Sequence, residues 1–379
     1  MSSKSRQELI ARHEAFLECR PVERPLVGLW LGGYYPAEQF PRGTAEWRPE
    51  QRLDPQDVRF SPFADDYESL YQAHQGADDD FFYVGSAYWG VPWLEAMVGC
   101  PVSIAAANCR AEAFLSDPRD FAGIGSDLDA NPWLDAVLRF TEELVRFAAG
   151  RFPVCPPLLR GPGDVASAML GGTGFVTALI DQPDAMKKLL DDVTRIRSAA
   201  IRRLHAVLPA WQGTHAAGGY PSRVWCRRTV AYYQDDSAAL LNPRLFREFL
   251  LPLANSACEA AEVNFIHLHS ACLYPLEMLL EDGSFDVLQI NIDHGGVAPP
   301  LPALIPALRH VQAAGRPLLL WGEFTPDDWR LVRRELSPAG LSLQPIVHTE
   351  KGDSPHLPER PGGCFAQMGT VPFFPAKNP

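Results

Sequence analysis

The chain has 379 residues, of which 46% are hydrophobic and 21% are charged, and these values lie in the range of globular proteins. They exclude a disordered or collagenous chain, and the length suits either two ordinary domains or one large barrel. The formal net charge of −12 and the pI of about 5.3 disfavour phosphate backbones and anionic lipid surfaces. We therefore expect neither nucleic acid nor membrane among the binding partners.

The N-terminal segment and the cysteines indicate the compartment. Residues 1–20 are polar and helix-like, without the apolar core of a signal peptide, and no run approaches the ~18 apolar residues of a membrane helix. The eight cysteines are scattered, with no CxxC pair and no framework spacing. We interpret the thiols as mostly free and predict a cytoplasmic protein.

Short apolar runs alternate with amphipathic stretches along the chain, which predicts βα units and a parallel sheet. The predicted strands cover residues 26–31, 80–84, 154–159, 229–234, 264–268, 286–292, 317–321 and 341–347. One predicted helix begins near residue 164, and five more cover residues 183–208, 243–261, 273–281, 301–314 and 326–336. No G-x-G-x-x-G loop follows a strand, so an open dinucleotide-binding sheet is the less favoured alternative. Eight strands predict a closed (β/α)8 barrel.

Several additions to the barrel are predicted within one domain that covers residues 1–379. Residues 1–20 form an N-terminal helix, residues 34–79 and 210–228 are long and irregular, and residues 352–379 form an irregular tail. In a barrel, such additions commonly cover the catalytic mouth. We interpret the run Asp78, Asp79 and Asp80 as a solvated turn outside the site.

Polar residues close the apolar runs, at the strand ends where barrel enzymes carry their chemistry. They are Asp235 and Asp236 for the fourth strand, His267, His269 and Ser270 for the fifth, Asn291, Asp293 and His294 for the sixth, Glu323 for the seventh and His348 for the eighth. Any exposed strand end can show such residues, so each one singly has a structural alternative. We expect structural or surface roles for His215, His294 and His348.

His267 and His269 are separated by one residue, so they project from the same face of a strand. Two neighbouring imidazoles suit zinc or another divalent ion, and they equally suit proton transfer or anion binding. Paired structural histidines are the alternative. Of Asp235 and Asp236, one can cap the helix that begins at Pro243 or orient a histidine, and the other can act as a general acid or base.

Aromatic side chains crowd the two N-terminal βα regions. They are Trp30, Tyr34, Tyr35, Phe81, Phe82, Tyr83, Tyr88, Trp89 and Trp93. Their faces suit a flat apolar substrate, the lower face of a corrin or a methylammonium group, with ordinary packing as the alternative. The candidate substrate-binding residues are Trp30, Tyr34, Tyr83, Trp89 and Asn291.

Residues 229–293 resemble the central signature of the uroporphyrinogen decarboxylase and cobamide-dependent methyltransferase superfamily. The stretch QDDSAALLNPRLFREFLLPLANSACEAA is similar to its strand-end acid and the helix that follows. The stretch FIHLHSACLYPLEMLLEDGSFDVLQINID is similar to its H-x-C-G strand, helix and next strand ending in Asp. PLLLWGEFTPDDW and SPAGLSLQPIV fit its last two βα units, and weaker likeness reaches back through RGPGDVASAMLGG to WGVPWLEAMVGCPV. The resemblance implies a barrel with its active site at the mouth.

Two departures from the superfamily pattern bear on the activity. Its decarboxylases carry an arginine-rich segment after the first strand, whereas this chain reads LVGLWLGGYYPAEQF. Its methyltransferases hold zinc with His-x-Cys and a distant Cys. Here His267 matches the histidine, His269 replaces the first cysteine, and Cys364 matches the late one, with Cys272 and Glu323 as further candidates for the third ligand. The resemblance thus implies a zinc site of His267, His269 and Cys364.

The resemblance favours zinc-assisted methyl transfer, with cobalamin or a separate corrinoid protein as partner and a small methylated or carboxylated substrate. The candidate catalytic residues are Asp235, Asp236, Asp293 and Glu323. Two alternatives stay open. One is a metal-independent decarboxylase or lyase, in which these acids and the histidines move protons. The other is a non-catalytic barrel that binds a small ligand.

We predict that the protein does not decarboxylate uroporphyrinogen. Residues 26–40 contain no arginine, so the many carboxylates of that substrate would meet tyrosines in place of guanidinium groups. The measurement is carbon dioxide release from uroporphyrinogen, with a uroporphyrinogen decarboxylase as the positive control. Release at a rate comparable to that control would show that the missing arginines are not decisive.

Overall fold

The computed structural model describes residues 6–33, 35–105, 108–121, 128–211, 223–293 and 298–347. In these ranges the strands are β1 Leu26–Val27, β2 Trp30–Leu31, β3 Arg52–Leu53, β4 Gly85–Ser86, β5 Val102–Ala105, β6 Asn108–Ala111, β7 Val154–Cys155, β8 Val230–Gln234, β9 Val263–His269, β10 Val287–Ile292, β11 Leu318–Gly322 and β12 Leu341–Val347. β3, β5 and β6 form a separate antiparallel sheet, and the other strands pair in parallel.

The α-helices of the same ranges are α1 Arg6–Leu17, α2 Pro36–Gln39, α3 Ala64–Gly76, α4 Trp93–Met97, α5 Pro132–Ala148, α6 Pro162–Leu170, α7 Gly172–Asp181, α8 Pro183–Val207, α9 Pro243–Leu245, α10 Ala254–Cys258, α11 Leu276–Asp282, α12 Leu301–Ala313 and α13 Pro326–Glu335. Proline at the first position of α5, α6, α8 and α13 leaves no helical hydrogen bond unmade, because that N–H has no partner within the helix.

The helix predicted over residues 243–261 is interrupted. A π-helical turn over Phe246–Leu250 and a 3-10 turn over Leu251–Leu253 separate α9 from α10. Pro252 lies in the second turn and has no N–H to donate, so the regular α-helical bonding pattern cannot run through it. The other predicted helices that lie in the described ranges are present, with ends shifted by a few residues.

The parallel strands form a ring of eight positions. Ladders join β8, β9, β10, β11, β12 and β1 in this order, β2 extends the first position beside β12, and β4 pairs with β7. Single backbone hydrogen bonds link the remaining neighbours: Asp80 N donates to Val27 O at 2.8 Å, and Gly161 N donates to Gln234 O at 2.6 Å. The predicted (β/α)8 fold class is confirmed.

Side chains of β9 alternate between the interior of the ring and the surrounding helices. Phe265 belongs to the apolar cluster inside the ring, whereas Ile266 and Leu268 belong to the larger cluster between strands and helices. His267 is in phase with Phe265 and is buried, and His269 follows on the same face. Both histidines therefore point inward at the C-terminal end of the strand.

The run of aspartates before the second strand is not a solvated turn, and that prediction was wrong. Asp79 and Asp80 are both buried. Asp79 Oδ2 accepts a hydrogen bond from Leu29 N at 2.8 Å, and Asp80 accepts two from Arg24, at 2.6 and 2.8 Å. These carboxylates take over bonds that a regular ladder would make, and β4 begins only at Gly85 rather than at residue 80.

The segment predicted to be irregular over residues 34–79 contains α2, β3 and α3. β3 pairs with β5, and β5 forms a hairpin with β6, so the insertions build a small sheet beside the barrel. Strands of two to four residues are too short to show a clear alternation in the sequence. The helix expected over residues 1–20 is present as α1, and the tail over residues 352–379 lies outside the described residues.

No single helix in the described ranges has both the length and the apolarity to cross a bilayer. α6 and α7 reach that length and apolarity only when taken together, and they are bent by 105° relative to each other.

We predict that Asp80→Asn lowers the free energy of unfolding by about 3 kcal/mol, because it breaks a buried ion pair. The Asp80 side chain is fully buried, and the change removes the negative charge that it presents to Arg24 and Arg12. Asp65→Asn is the matched control, since the Asp65 side chain is 80% exposed, and it should cost less than about 1 kcal/mol. Equal midpoints of urea unfolding for the two variants would contradict this role of Asp80.

Candidate active site

A cavity of about 700 Å³ opens at the C-terminal ends of the barrel strands. From the strand ends, its described lining includes Gln234, Asp236, His267, His269 and Trp321. The insertions and the α6 region contribute Trp89, Glu95, Arg110, Arg160 and Asp164, among others. The volume suits a small molecule, and the polar groups converge on it from both sides.

Asp236, His267 and His269 form the tightest group of potential ligands in this cavity. One donor atom from each of the three lies within 4.8 Å of the others. The two imidazole rings have centroids 4.8 Å apart and are nearly perpendicular, at 88°. Two nitrogens and one carboxylate oxygen converging in this way are ligands that zinc accepts, with a fourth position left for a substrate.

His267 is held from behind by β10. Its Nδ1 is hydrogen-bonded to Gln289 Oε1, and the same oxygen accepts a hydrogen bond from the hydroxyl of Tyr232 on β8. Burial and the neighbouring His269 lower the pKa of His267 to about 4. The ring is therefore neutral at physiological pH, and its Nε2 remains available to a ligand in the cavity.

His269 lies between two carboxylates. Its Nδ1 is 2.7 Å from Asp293 Oδ1, and its Nε2 is 3.6 Å from Asp236 Oδ1. Asn291 Nδ2 donates to Asp293 Oδ1 at 2.6 Å and fixes the carboxylate. Burial opposes the charged form, but the hydrogen bonds and charges of the two aspartates raise the pKa of His269 to about 10. A positive charge is thus stabilised at this point.

Asp236 faces the cavity at the end of β8. Gln234 donates a hydrogen bond to its Oδ2, while Oδ1 faces His269. The surrounding walls oppose ionisation, yet the hydrogen bond with His269 and the charges of both histidines keep the pKa of Asp236 below its ordinary value. The carboxylate is therefore ionised and able to act as a ligand or base.

Asp235 points away from the histidines, toward the N-terminus of α6. Its Oδ1 accepts a hydrogen bond from Asp164 N at 2.6 Å, and its Oδ2 accepts one from Tyr233 at 2.7 Å. Burial raises the pKa of Asp235 to about 6. The predicted aspartate cap of the helix at Pro243 was wrong: Asn242 caps that helix, accepting from Leu245 N, and Asp235 caps α6 instead. The cavity lining in the described ranges contains Asp236 but not Asp235.

The capping of α6 requires close approach of its first turn to Asp235. A Cβ atom at Gly163 would lie 2.7 Å from Asp235 Oδ1, and one at Gly161 would lie 2.7 Å from the carboxyl carbon. The absence of side chains at Gly161 and Gly163 therefore allows the first turn of α6 to pack against Asp235 at the end of β8.

Other candidate residues are distributed as follows. Trp89 lines the cavity, and Asn291 positions Asp293. Trp30 is packed inside the barrel against Trp321, and Tyr83 is packed in the outer core against Phe152, so neither is brought to the cavity lining. Glu323 and Cys272 are not part of the described cluster of potential ligands. The predicted residues that lie outside the described ranges are Tyr34, His215, His294, His348 and Cys364.

Several residues of the cavity and its support escaped the sequence analysis. Gln289 and Tyr232 hold His267, and Arg160 with Glu95 and Asp164 lies on the α6 side. Gln289 could have been found, because it is two residues before Asn291 and so shares its face of β10. The α6 group offers no such signal, since its members come together only through the fold.

No model of a known protein family matches the chain, and no curated protein matches it. Among solved structures, it is similar to a methyltransferase from Methanosarcina mazei, with a TM-score of 0.59 and 15% identity over 89% of this chain and 92% of that chain. A structure of fungal β-1,4-galactanases aligns at 12% identity over 70% of this chain and 89% of that chain, but its TM-score of 0.33 is too low to indicate a shared fold. The first likeness establishes a shared fold.

We predict opposite protonation states for the two histidines in metal-free protein at pH 7. His269 has a raised pKa and should be an imidazolium, whereas His267 has a lowered pKa and should be neutral. The ¹⁵N chemical shifts of the ring nitrogens report both states directly. In Asp293→Asn the pKa of His269 should fall, because one of its two carboxylate neighbours is lost. A neutral His269 at pH 7 in the unaltered protein would rule out this electrostatic description.

Proposed function

We propose that the protein is a methyltransferase in which His267, His269 and Asp236 hold a zinc ion that activates a small nucleophilic acceptor. Cobalamin, carried by a separate corrinoid protein, is the proposed partner in the transfer. The single observation that carries the proposal is the convergence of the three side chains within 4.8 Å at the mouth of the barrel. The fold shared with a methyltransferase supports it.

The chemistry of the donor set supports zinc. Both imidazoles have their Nδ1 atoms engaged, by Gln289 and Asp293, and such outer partners orient a ligating histidine and fix its tautomer. In the metal-free state His269 carries a proton, because the two neighbouring carboxylates stabilise its positive charge. A divalent cation can replace that proton, and metal binding then releases it.

In the proposed ligand set, Asp236 replaces Cys364 as the third zinc ligand. A divalent ion with two neutral imidazoles and one carboxylate has a formal charge of +1 (2 − 1), the same as with one thiolate. When bound, zinc lowers the pKa of a thiol or hydroxyl acceptor by Lewis-acid action. Asp293 then holds the ring of His269, and Gln234 holds the carboxylate of Asp236, so the acceptor position stays fixed.

The cavity volume of about 700 Å³ suits a small substrate rather than a whole corrinoid. We therefore propose that the corrinoid partner presents its cobalt at the open mouth. Trp89, which lines the cavity and hydrogen-bonds to Gln39 at 3.4 Å, is the proposed aromatic wall on that side.

We predict about one zinc ion per chain in the purified protein. His267→Ala, His269→Ala and Asp236→Ala should each lose it, because each removes one of three ligands. Elemental analysis by mass spectrometry is the measurement. His310→Ala is the matched control, since His310 is a half-exposed histidine paired with Glu277, and it should keep the metal.

Cys364→Ser separates the two ligand sets. Retention of zinc in Cys364→Ser together with its loss in Asp236→Ala supports the carboxylate as third ligand, and the reverse pattern supports the thiolate. Equally negligible metal in wild type and all variants would end the zinc mechanism.

One observation favours a second candidate, a metal-free lyase on a carboxylated substrate. His269 held as an imidazolium at neutral pH can donate a proton, and Arg160 lines the same cavity. The two candidates differ in an assay with methylcobalamin and a small thiol. The methyltransferase forms a thioether as the methyl–cobalt chromophore is lost, with loss of rate in His267→Ala, whereas a lyase gives neither signal.

A further inference from the structure

The wall of the cavity on the α6 side carries an arginine that is only partly used by the protein. Arg160 Nε forms an ion pair with Glu95 Oε1 at 2.5 Å. The Glu95 side chain is 1% exposed, whereas the Arg160 side chain is 34% exposed and lines the cavity. In the part of the chain that the structure describes, Glu95 is the only hydrogen-bonding or ion-pairing side chain found for Arg160. Its Nη1 and Nη2 groups therefore remain available to a ligand.

Asp164 adds a second polar atom with no partner beside this arginine. Its Oδ1 accepts a hydrogen bond from Ser237 N at 2.6 Å, while its Oδ2 is buried and has no hydrogen-bond partner in the described ranges. The residue is 6% exposed and also lines the cavity. Burial and the nearby Asp236 and Asp235 raise the pKa of Asp164 well above its ordinary value, so this oxygen can carry a proton and donate it in a hydrogen bond.

The arrangement around Arg160 differs from that of a purely structural ion pair. A buried carboxylate that only needs neutralisation is best served by two parallel hydrogen bonds from one guanidinium. Here the contact with Glu95 is made through Nε, which leaves the outer edge of the guanidinium free. Arg110 on the same cavity is engaged differently: its Nε donates to Ser103 at 3.1 Å and its Nη2 to Glu50 at 2.7 Å.

We propose that Arg160, backed by Glu95 and joined by Asp164, binds a carboxylate group of the substrate. The substrate class is then a small carboxylic acid whose other end carries the acceptor thiol or hydroxyl and reaches Asp236, His267 and His269 across one cavity. The identity of that other end rests on the proposed function, whereas the carboxylate site does not.

Binding of short mercapto acids tests this proposal. The probes are mercaptoacetate, 3-mercaptopropionate and 4-mercaptobutyrate, each compared with its primary amide by calorimetric titration of the zinc-loaded protein. Charge-assisted hydrogen bonds should make at least one acid bind about 10- to 100-fold more tightly than its amide. Arg160→Gln should abolish this ratio, and Arg160→Lys should retain part of it, because lysine keeps the charge but not the planar fork.

The controls separate this site from the metal site. Arg139→Gln removes an exposed arginine on α5 and should leave the acid-to-amide ratio unchanged. His269→Ala should lose the contribution of the thiol and still prefer the acid, with a smaller ratio because the cavity loses the positive charge at the histidines. If wild type takes up no zinc, the same titration is made on the metal-free protein. A preference for the acids there that Arg160→Gln loses means that the proposed function fails and the carboxylate site stands.

Two results would overturn the carboxylate site. They are equal binding of acid and amide by wild type, and a ratio in Arg160→Gln as high as in wild type. Arg160→Gln leaves the buried Glu95 without its partner, which can impair folding. Arg160→Gln combined with Glu95→Gln removes both charges, and the same ratio measured on that variant decides the question.

Discussion

The buried hydrogen bond between His267 and Gln289 is the interaction on which the candidate site depends. An imidazole inside a barrel cannot be solvated by bulk water, so its orientation and tautomer are set by the partner that it finds there. The parallel register of β9 and β10 pairs His267 directly with Gln289 and His269 with Asn291. A register slip of one residue would turn each of these side chains to the opposite face of the sheet and separate the members of the site.

The same register arranges the carboxylates around His269. Gln234 on β8 pairs with His267, so Asp236, two residues further, emerges at the mouth beside the imidazoles. Asp293 emerges from β10 on the other side and holds His269 through its Nδ1. The histidines come from one strand, but their chemistry is set by acids and amides from both neighbouring strands. This division explains why one histidine is neutral and the other favours a positive charge.

The barrel and the shared face of the two histidines could be predicted from the sequence, because both follow from patterns with a short period. Alternating βα segments predict the ring, and the spacing of His267 and His269 predicts a shared face. Such patterns do not predict contacts between residues that lie far apart in the sequence. Asp79 and Asp80 look like a polar turn in isolation, and only the proximity of Arg24 and the first strand makes them buried. The α6 capping by Asp235 likewise joins residues more than seventy positions apart, as the bond to Asp164 has a separation of 71.

Charge balance links the metal to the class of substrate. Asp236, Asp293 and Glu95 contribute three negative charges, while Arg160 and protonated His269 contribute two positive ones, a formal sum of −1 (2 − 3). Arg110 also lines the cavity but is neutralised by its ion pair with Glu50, and burial with neighbouring acids raises the pKa of Asp164 and favours its neutral form. Replacing the proton of His269 by a divalent ion changes the sum to 0 (1 + 2 − 3). A cation at the histidines therefore favours an anion at Arg160 in the same cavity, and by reciprocity the anion favours the cation. Electrostatic coupling of this kind requires no movement of the barrel.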